Sequence, residues 1–199
     1  MSWFVREFLR VGIIRFGDFR LSSGSESPYY IDMRRLYSYP ELAYKVVKEL
    51  ISRIDCEYDA VVGIATAGIP LAAYIGFMKT IPMGYVRIIR KEYGLESKIE
   101  GVLEGKKVLI VDDVATTGMS LASGVETLRS LGSKVVAAAS IIDREQGAED
   151  LLRSKGLRLY SLIKVTDMFR ELFEEKLIGE KNYLKVIEYT ERFRRGRSF

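Results

Sequence analysis

Histidine is absent from this sequence. The chain therefore cannot assemble a Ser-His-Asp or Cys-His nucleophile, a His-ligated metal or a His general base, and any chemistry must use carboxylates, Lys, Arg, Tyr, Thr and backbone amides. Cysteine is almost absent: Cys56, alone in IDCEYD, excludes an internal disulfide and a cysteine-rich zinc site, and is read as a structural thiol in a reducing compartment. A single Gln (Gln146) and a single Asn (Asn182) beside abundant Lys, Arg and Glu suggest a thermophilic source. No run approaches the ~20 apolar residues of a membrane span, and Arg6, Glu7 and Arg10 interrupt any signal-peptide core in MSWFVREFLR. A cytoplasmic protein with no membrane partner is expected.

What remains is a chain of 199 residues, 48% hydrophobic and 29% charged, the profile of one globular domain spanning 1–199. Its net charge of +4 is uneven, because ERFRRGRSF (191–199) holds four Arg against one Glu. Such a tail suits nucleic acid, but a solvated extension with cations at a helix C-terminus is the preferred reading, and no nucleic-acid partner is expected.

Apolar spacing predicts an amphipathic helix over 3–14, a hairpin-like pair of aromatic-rich extended pieces over 16–33, and a helix from Pro40 to Ile54. Continuous apolar runs follow at 60–65, 83–89, 107–113, 134–143 and 157–165, alternating with helical patterns at 68–78, 118–131 and 147–155. Strands apolar on both faces belong to parallel sheets covered by helices. The fold class expected is α/β, an open, mostly parallel twisted sheet flanked by helices, with a small N-terminal hood (1–37), a core (38–170) and a C-terminal helical tail (171–199). The charged, Gly-punctuated stretch RKEYGLESKIEGVLEG (90–105) fits neither element and is read as a long mobile loop.

In open α/β sheets ligands bind beyond the carboxyl ends of strands. There VLIVDDVATTGMS (108–120) runs an apolar strand into Asp112 and Asp113, then into a small, hydroxyl-rich turn before a helix near Gly118. Amides of that turn would cradle a phosphate, with Thr116, Thr117 and Ser120 adding hydroxyls, and the carboxylates suit ribose hydroxyls or a Mg²⁺-bound sugar phosphate. Simple capping of the following helix explains the pair poorly, because adjacent acids repel. A Walker B strand is the other reading, but Gly63 and Gly68 have Walker A spacing only to continue as Ile69-Pro70, without the Lys.

The whole of 108–120 resembles the type I phosphoribosyltransferases. That resemblance implies that Ala115, Thr116, Thr117, Gly118, Met119 and Ser120 hold the 5-phosphate of phosphoribosyl pyrophosphate (PRPP), with Asp112 and Asp113 on the ribose. It makes the turn Thr66-Ala67-Gly68 in VVGIATAGIPLA a pyrophosphate loop. FRLSSGSESPYYIDMR (19–34) is similar to the N-terminal segment of the orotate phosphoribosyltransferases, which places Ser22, Tyr30, Ile31 and Thr116 around orotate. Arg144 in IIDREQGA would pair with the anionic base, a guanidinium fork meeting a planar anion; bridging Asp143 or Glu145 is its structural alternative. YVRIIRKEYG matches the segment leading into the catalytic loop, making Arg87 and Lys91 the pyrophosphate cations, with Arg90 on PRPP in partial compensation for cations the chain lacks. By the same resemblance the chain is a homodimer that shares loop 90–104 across its interface, and Lys91, Asp113 and Arg87 carry catalysis. Mg²⁺ is the expected cofactor, held mainly by PRPP, with no protein metal site. The chain departs from the family where Ser22, Ala67 and Ile88 replace Lys and Tyr93 replaces His. Two rivals follow: a PRPP- or nucleotide-sensing regulator of the same fold, and a phosphoribosyltransferase for another nucleobase.

Overall fold

The computed structural model describes residues 2–20, 26–91 and 94–194, side chains of 88–91, 94–97 and 194 aside. Helix α1 (Trp3–Arg10) leads into a hairpin of β1 (Ile14–Arg20) and β2 (Glu26–Ile31), a 3₁₀ segment (Met33–Ser38) and α2 (Pro40–Ser52). The core then runs β3 (Ala60–Ile64), α3 (Gly68–Lys79), β4 (Met83–Lys91), β5 (Gly94–Glu100), β6 (Lys107–Ala115), α4 (Met119–Ser130), β7 (Lys134–Asp143), α5 (Ala148–Ser154) and β8 (Leu159–Lys164). Helices α6 (Val165–Glu174) and α7 (Glu180–Arg194) complete it. The six-stranded sheet has the order β5-β4-β3-β6-β7-β8, parallel except for the β4–β5 pair.

Strand periodicity explains how one sheet is covered twice. Val61, Leu109, Val111, Ala137 and Ala139 face one cluster, which contains Val46 and Leu50 of α2, Leu71 and Ile75 of α3, the hood and α6. Their strand neighbours Ala60, Val62, Val108, Ile110 and Ala138 face the opposite cluster, with Leu121, Val125 and Leu152 of α4 and α5.

Two expectations need correction. The stretch 90–105 is not simply a loop, because β4 continues to Lys91 and pairs antiparallel with β5 from Lys91↔Gly94 to Tyr85↔Glu100. Its charges belong to an edge strand, where Lys98 and Glu100 are exposed while Ile99 between them is half-buried. Tyr93 lies outside the described residues. The tail division at 170/171 also falls inside α6, which packs on the hood: Phe169 meets Phe16 at 5.4 Å and Tyr29 at 5.0 Å. No helix among the described residues is long and apolar enough to cross a membrane.

Since β6 is paired on both sides and Leu109 at its middle is fully buried, Leu109→Ala is expected to cost about 2–5 kcal/mol of stability. Chemical denaturation measures this, and a loss below about 1 kcal/mol would mean the centre of the sheet repacks freely.

Candidate active site

The crevice follows from connectivity. From β3 the chain crosses through α3 to β4 on one side, whereas from β6 it crosses through α4 to β7 on the other. Between β3 and β6 the loops diverge, and this is the switch point at which open α/β sheets bind ligands. Pairing of β3 with β6 ends at Gly63↔Val111, while β6 stays paired with β7 through Ala115↔Asp143. Asp112 and Asp113 therefore emerge where their strand has just lost one neighbour.

The Asp112 carboxylate accepts the Asp113 N–H at 2.9 Å, and that of Asp113 accepts the Val114 N–H at 2.8 Å. Burial raises both above the ordinary carboxylate range, and repulsion by Asp113 pushes Asp112 further. Arg34 on the 3₁₀ segment offsets part of this at Asp113.

Glycines bring the two loops together. A Cβ on Gly63 would lie 2.3 Å from the Gly68 carbonyl oxygen, and one on Gly68 would lie 2.7 Å from the Val111 oxygen and 3.3 Å from Asp112 Oδ1. The turn Thr66-Ala67-Gly68 is thus pressed against the acid pair; its Ala65–Thr66 peptide is cis. On the other side, β6 ends at the buried Ala115, and Thr116 and exposed Thr117 lead to Gly118 at φ +79. That left-handed turn aims the first turn of α4, with Met119 and Ser120 and no acidic residue, back over the strand end. Ala148 N–H donates to the Thr116 carbonyl at 3.1 Å, pinning the loop to α5. A helix N-terminus of this kind, free of acidic residues in its first turn, is chemically suited to an anion.

Arg144 lies on the next loop, its N–H bonded to the Ala115 carbonyl at 2.8 Å. Its guanidinium stacks 4.8 Å from the Tyr29 ring centroid and donates to Tyr29 Oη at 3.2 Å and Ser27 Oγ at 3.4 Å. Asp143 accepts the Glu145 N–H at 2.8 Å, and Glu145 accepts from Thr166 at the start of α6 at 2.6 and 3.0 Å. Tyr30, on the other face of β2 from Tyr29, lies among Phe19, Arg15 and Arg34, and its hydroxyl accepts from Arg34 at 3.1 Å. Ile31 is half-buried opposite Ile14. Ser22 lies outside the described residues.

Arg87 is exposed on β4, one residue past the last partner of β3. Lys91 lies four residues further along the same strand, about 13 Å at the usual rise; the side chains of Arg90 and Lys91 lie outside the described residues. Ser27, Tyr29 and Arg34 escaped the sequence reading. The period of two along β2 carried the signal for Ser27 and Tyr29, which share a face opposite to Tyr30. A cavity of about 640 Å³ lies elsewhere, along β8, and its cations are already paired: Arg53 with Glu49, Arg153 with Glu149, Arg158 with Asp55 and Lys164 with Glu149.

The phosphoribosyl transferase domain family matches residues 36–156. An orotate phosphoribosyltransferase of Sulfurisphaera tokodaii is 40% identical over 187 residues, covering 94% of this chain and 96% of that one. The crystal structure of orotate phosphoribosyltransferase from Aeropyrum pernix superposes with a TM-score of 0.77 at 37% identity, covering 88% of this chain and 99% of that one. The Mycobacterium tuberculosis orotate phosphoribosyltransferase in complex with PRPP gives a TM-score of 0.68 at 28% identity, covering 83% of this chain and 96% of that one. With the strand-end acids, the helix N-terminus that follows them and an arginine held against the hood, these likenesses carry one conclusion: the chain belongs to the phosphoribosyltransferase family and, within it, to the orotate phosphoribosyltransferases.

Proposed function

We propose that the chain transfers the 5-phosphoribosyl group from PRPP to orotate, giving orotidine 5′-monophosphate and pyrophosphate for pyrimidine synthesis. The observation that carries this reading is the continuous run from half-buried Asp112 and Asp113 into the N-terminus of α4, with Arg144 and the hood beside it. In this assignment the amides of 116–120 and the hydroxyls of Thr116, Thr117 and Ser120 hold the 5-phosphate. Asp112 and Asp113 accept from ribose hydroxyls and favour the cationic character that grows at C1 as pyrophosphate leaves. Pyrophosphate lies along Thr66, Ala67 and Gly68 toward Arg87. Arg144 turns orotate toward C1 between Tyr30, Ile31 and the hood.

Among the described residues no group of three or more acidic or Cys side chains could hold a metal alone. Two crowded carboxylates and neighbouring threonine hydroxyls are nonetheless hard oxygen donors that fit an ion arriving with a phosphate-rich ligand. Mg²⁺ bound to PRPP supplies charge neutralisation on the leaving group. The β4–β5 arm projects Lys91 beyond the sheet, which supports a homodimer in which the arm covers the partner's site and excludes water. A reducing, cytoplasmic setting agrees with the single thiol.

The direct test is orotate consumption with PRPP and Mg²⁺; a chain that binds PRPP without consuming orotate would be the sensing regulator, and one that uses another base instead would overturn the substrate. Asp113→Asn should lower turnover by roughly 10²–10³. It should also raise Tm at neutral pH. A carboxyl whose pKa is raised by folding contributes stability below its unfolded pKa and loses it as pH rises through the folded value. The gain should therefore vanish in acid; normal turnover or a lower neutral Tm would contradict the assignment.

Arg144→Ala should weaken orotate binding by about 1.5–3 kcal/mol with a much smaller effect on PRPP. Separate titrations measure this, and equal losses would make Arg144 structural. Lys91→Ala should lower kcat more than it raises KM for PRPP, as a contact made mainly in the transition state does. Mixed with Asp113→Asn chains it should regain activity in heterodimers that hold one intact site. No recovery after verified subunit exchange would mean each chain closes its own site.

A further inference from the structure

The Arg144 guanidinium is held by two hydroxyls of the hood. Its Nε–H donates to Tyr29 Oη at 3.2 Å and Nη2 donates to Ser27 Oγ at 3.4 Å, with the group 4.8 Å from the centroid of the Tyr29 ring. Nε and Nη2 form one edge of a planar fork, so the other edge, Nη1 with the second hydrogen of Nη2, points away from both hydroxyls. Tyr29 and Ser27 are buried, whereas Arg144 is only half-buried, so part of the cation stays open to solvent.

Each hydroxyl is itself fixed. Ser27 Oγ gives its one hydrogen to the Tyr29 carbonyl at 2.7 Å, which leaves its lone pairs for Arg144. The Tyr29 ring is packed 5.0 Å from that of Phe169 on α6 and 5.8 Å from that of Tyr189 on α7. Burial raises the Tyr29 pKa in spite of the cation beside it, so the phenol is neutral at neutral pH. A carboxylate in its place would hold the guanidinium as firmly but would also neutralise it. Hydroxyls orient the cation and leave its charge for another anion.

We infer that Tyr29 is a positioning residue for the base: its phenol oxygen and ring fix the Nε–Nη2 edge of Arg144, so that the Nη1–Nη2 fork meets the anionic base with its charge still available. This rests on the reading of Arg144 as the orotate anchor, and extends it to a buried residue that touches no substrate. The rotamer entropy of a long side chain is then lost on folding and not on binding, which is the gain from preorganisation.

Tyr29→Phe keeps the ring between Phe169 and Tyr189 and removes only the acceptor. It should lower kcat/KM for orotate about 5- to 30-fold, as for one hydrogen bond to a charged group, with KM for PRPP within about twofold. In an Arg144→Ala background there is no guanidinium to place, and the same change should then alter kcat/KM for orotate by less than about twofold. Ser27→Ala, which removes the longer of the two bonds, should act in the same direction and with the same dependence on Arg144, and it carries the test if Tyr29→Phe does not fold. Wild-type orotate kinetics in the variant, or an equal loss in both backgrounds, overturns the inference. A KM for PRPP that rises in step with that for orotate also overturns it, in favour of a structural role. If Arg144→Ala itself leaves orotate kinetics unchanged, the reading of Arg144 as the base anchor fails and this inference with it; an effect of Arg144→Ala without one of Tyr29→Phe sinks the inference alone.

Discussion

Two adjacent carboxyl groups held side by side at the end of the central strand are the constraint on which the rest of the structure turns. Asp112 and Asp113 sit where β6 has lost β3 as a neighbour but keeps β7, so their backbone is rigid while one flank is open. Burial and repulsion make ionisation costly there, and the next backbone N–H groups offset only part of the cost. Gly63 and Gly68 press the neighbouring loop so close that a single added Cβ would meet backbone. In the proposed function, a ligand bearing hydroxyls and a cation would relieve that ionisation cost, directing binding energy to the reacting sugar.

Around that pair the base-binding side is built as a chain of supports. Arg144 is fastened to β6 through the Ala115 carbonyl, and its loop is clamped by Asp143 and by Glu145 on the start of α6. Its guanidinium rests on Tyr29, which in turn packs on Phe169 of α6 and, at 5.8 Å, on Tyr189 of α7. The C-terminal helices thus act as a buttress for the hood, and the proposed orotate anchor depends on residues far along the chain.

The parallel core was legible because strands buried on both faces leave continuous apolar runs, as in KVLIVDD and KVVAAASIID. The acid pair and its turn were legible because adjacent carboxylates before a Thr/Gly loop have little structural reason to exist. The β5 arm was not, since an edge strand carries charges that mimic a loop, as Lys98 and Glu100 do. Nor was Tyr29: reading Tyr30 as the ligand-facing aromatic says nothing about which face of β2 meets Arg144.

The most direct test of this account is a crystal structure of the chain with PRPP and Mg²⁺. The account places the 5-phosphate on the amides of 116–120 at the start of α4 and the ribose hydroxyls on Asp112 and Asp113. A phosphate bound instead in the cavity along β8, or a ribose turned away from the acid pair, would contradict it.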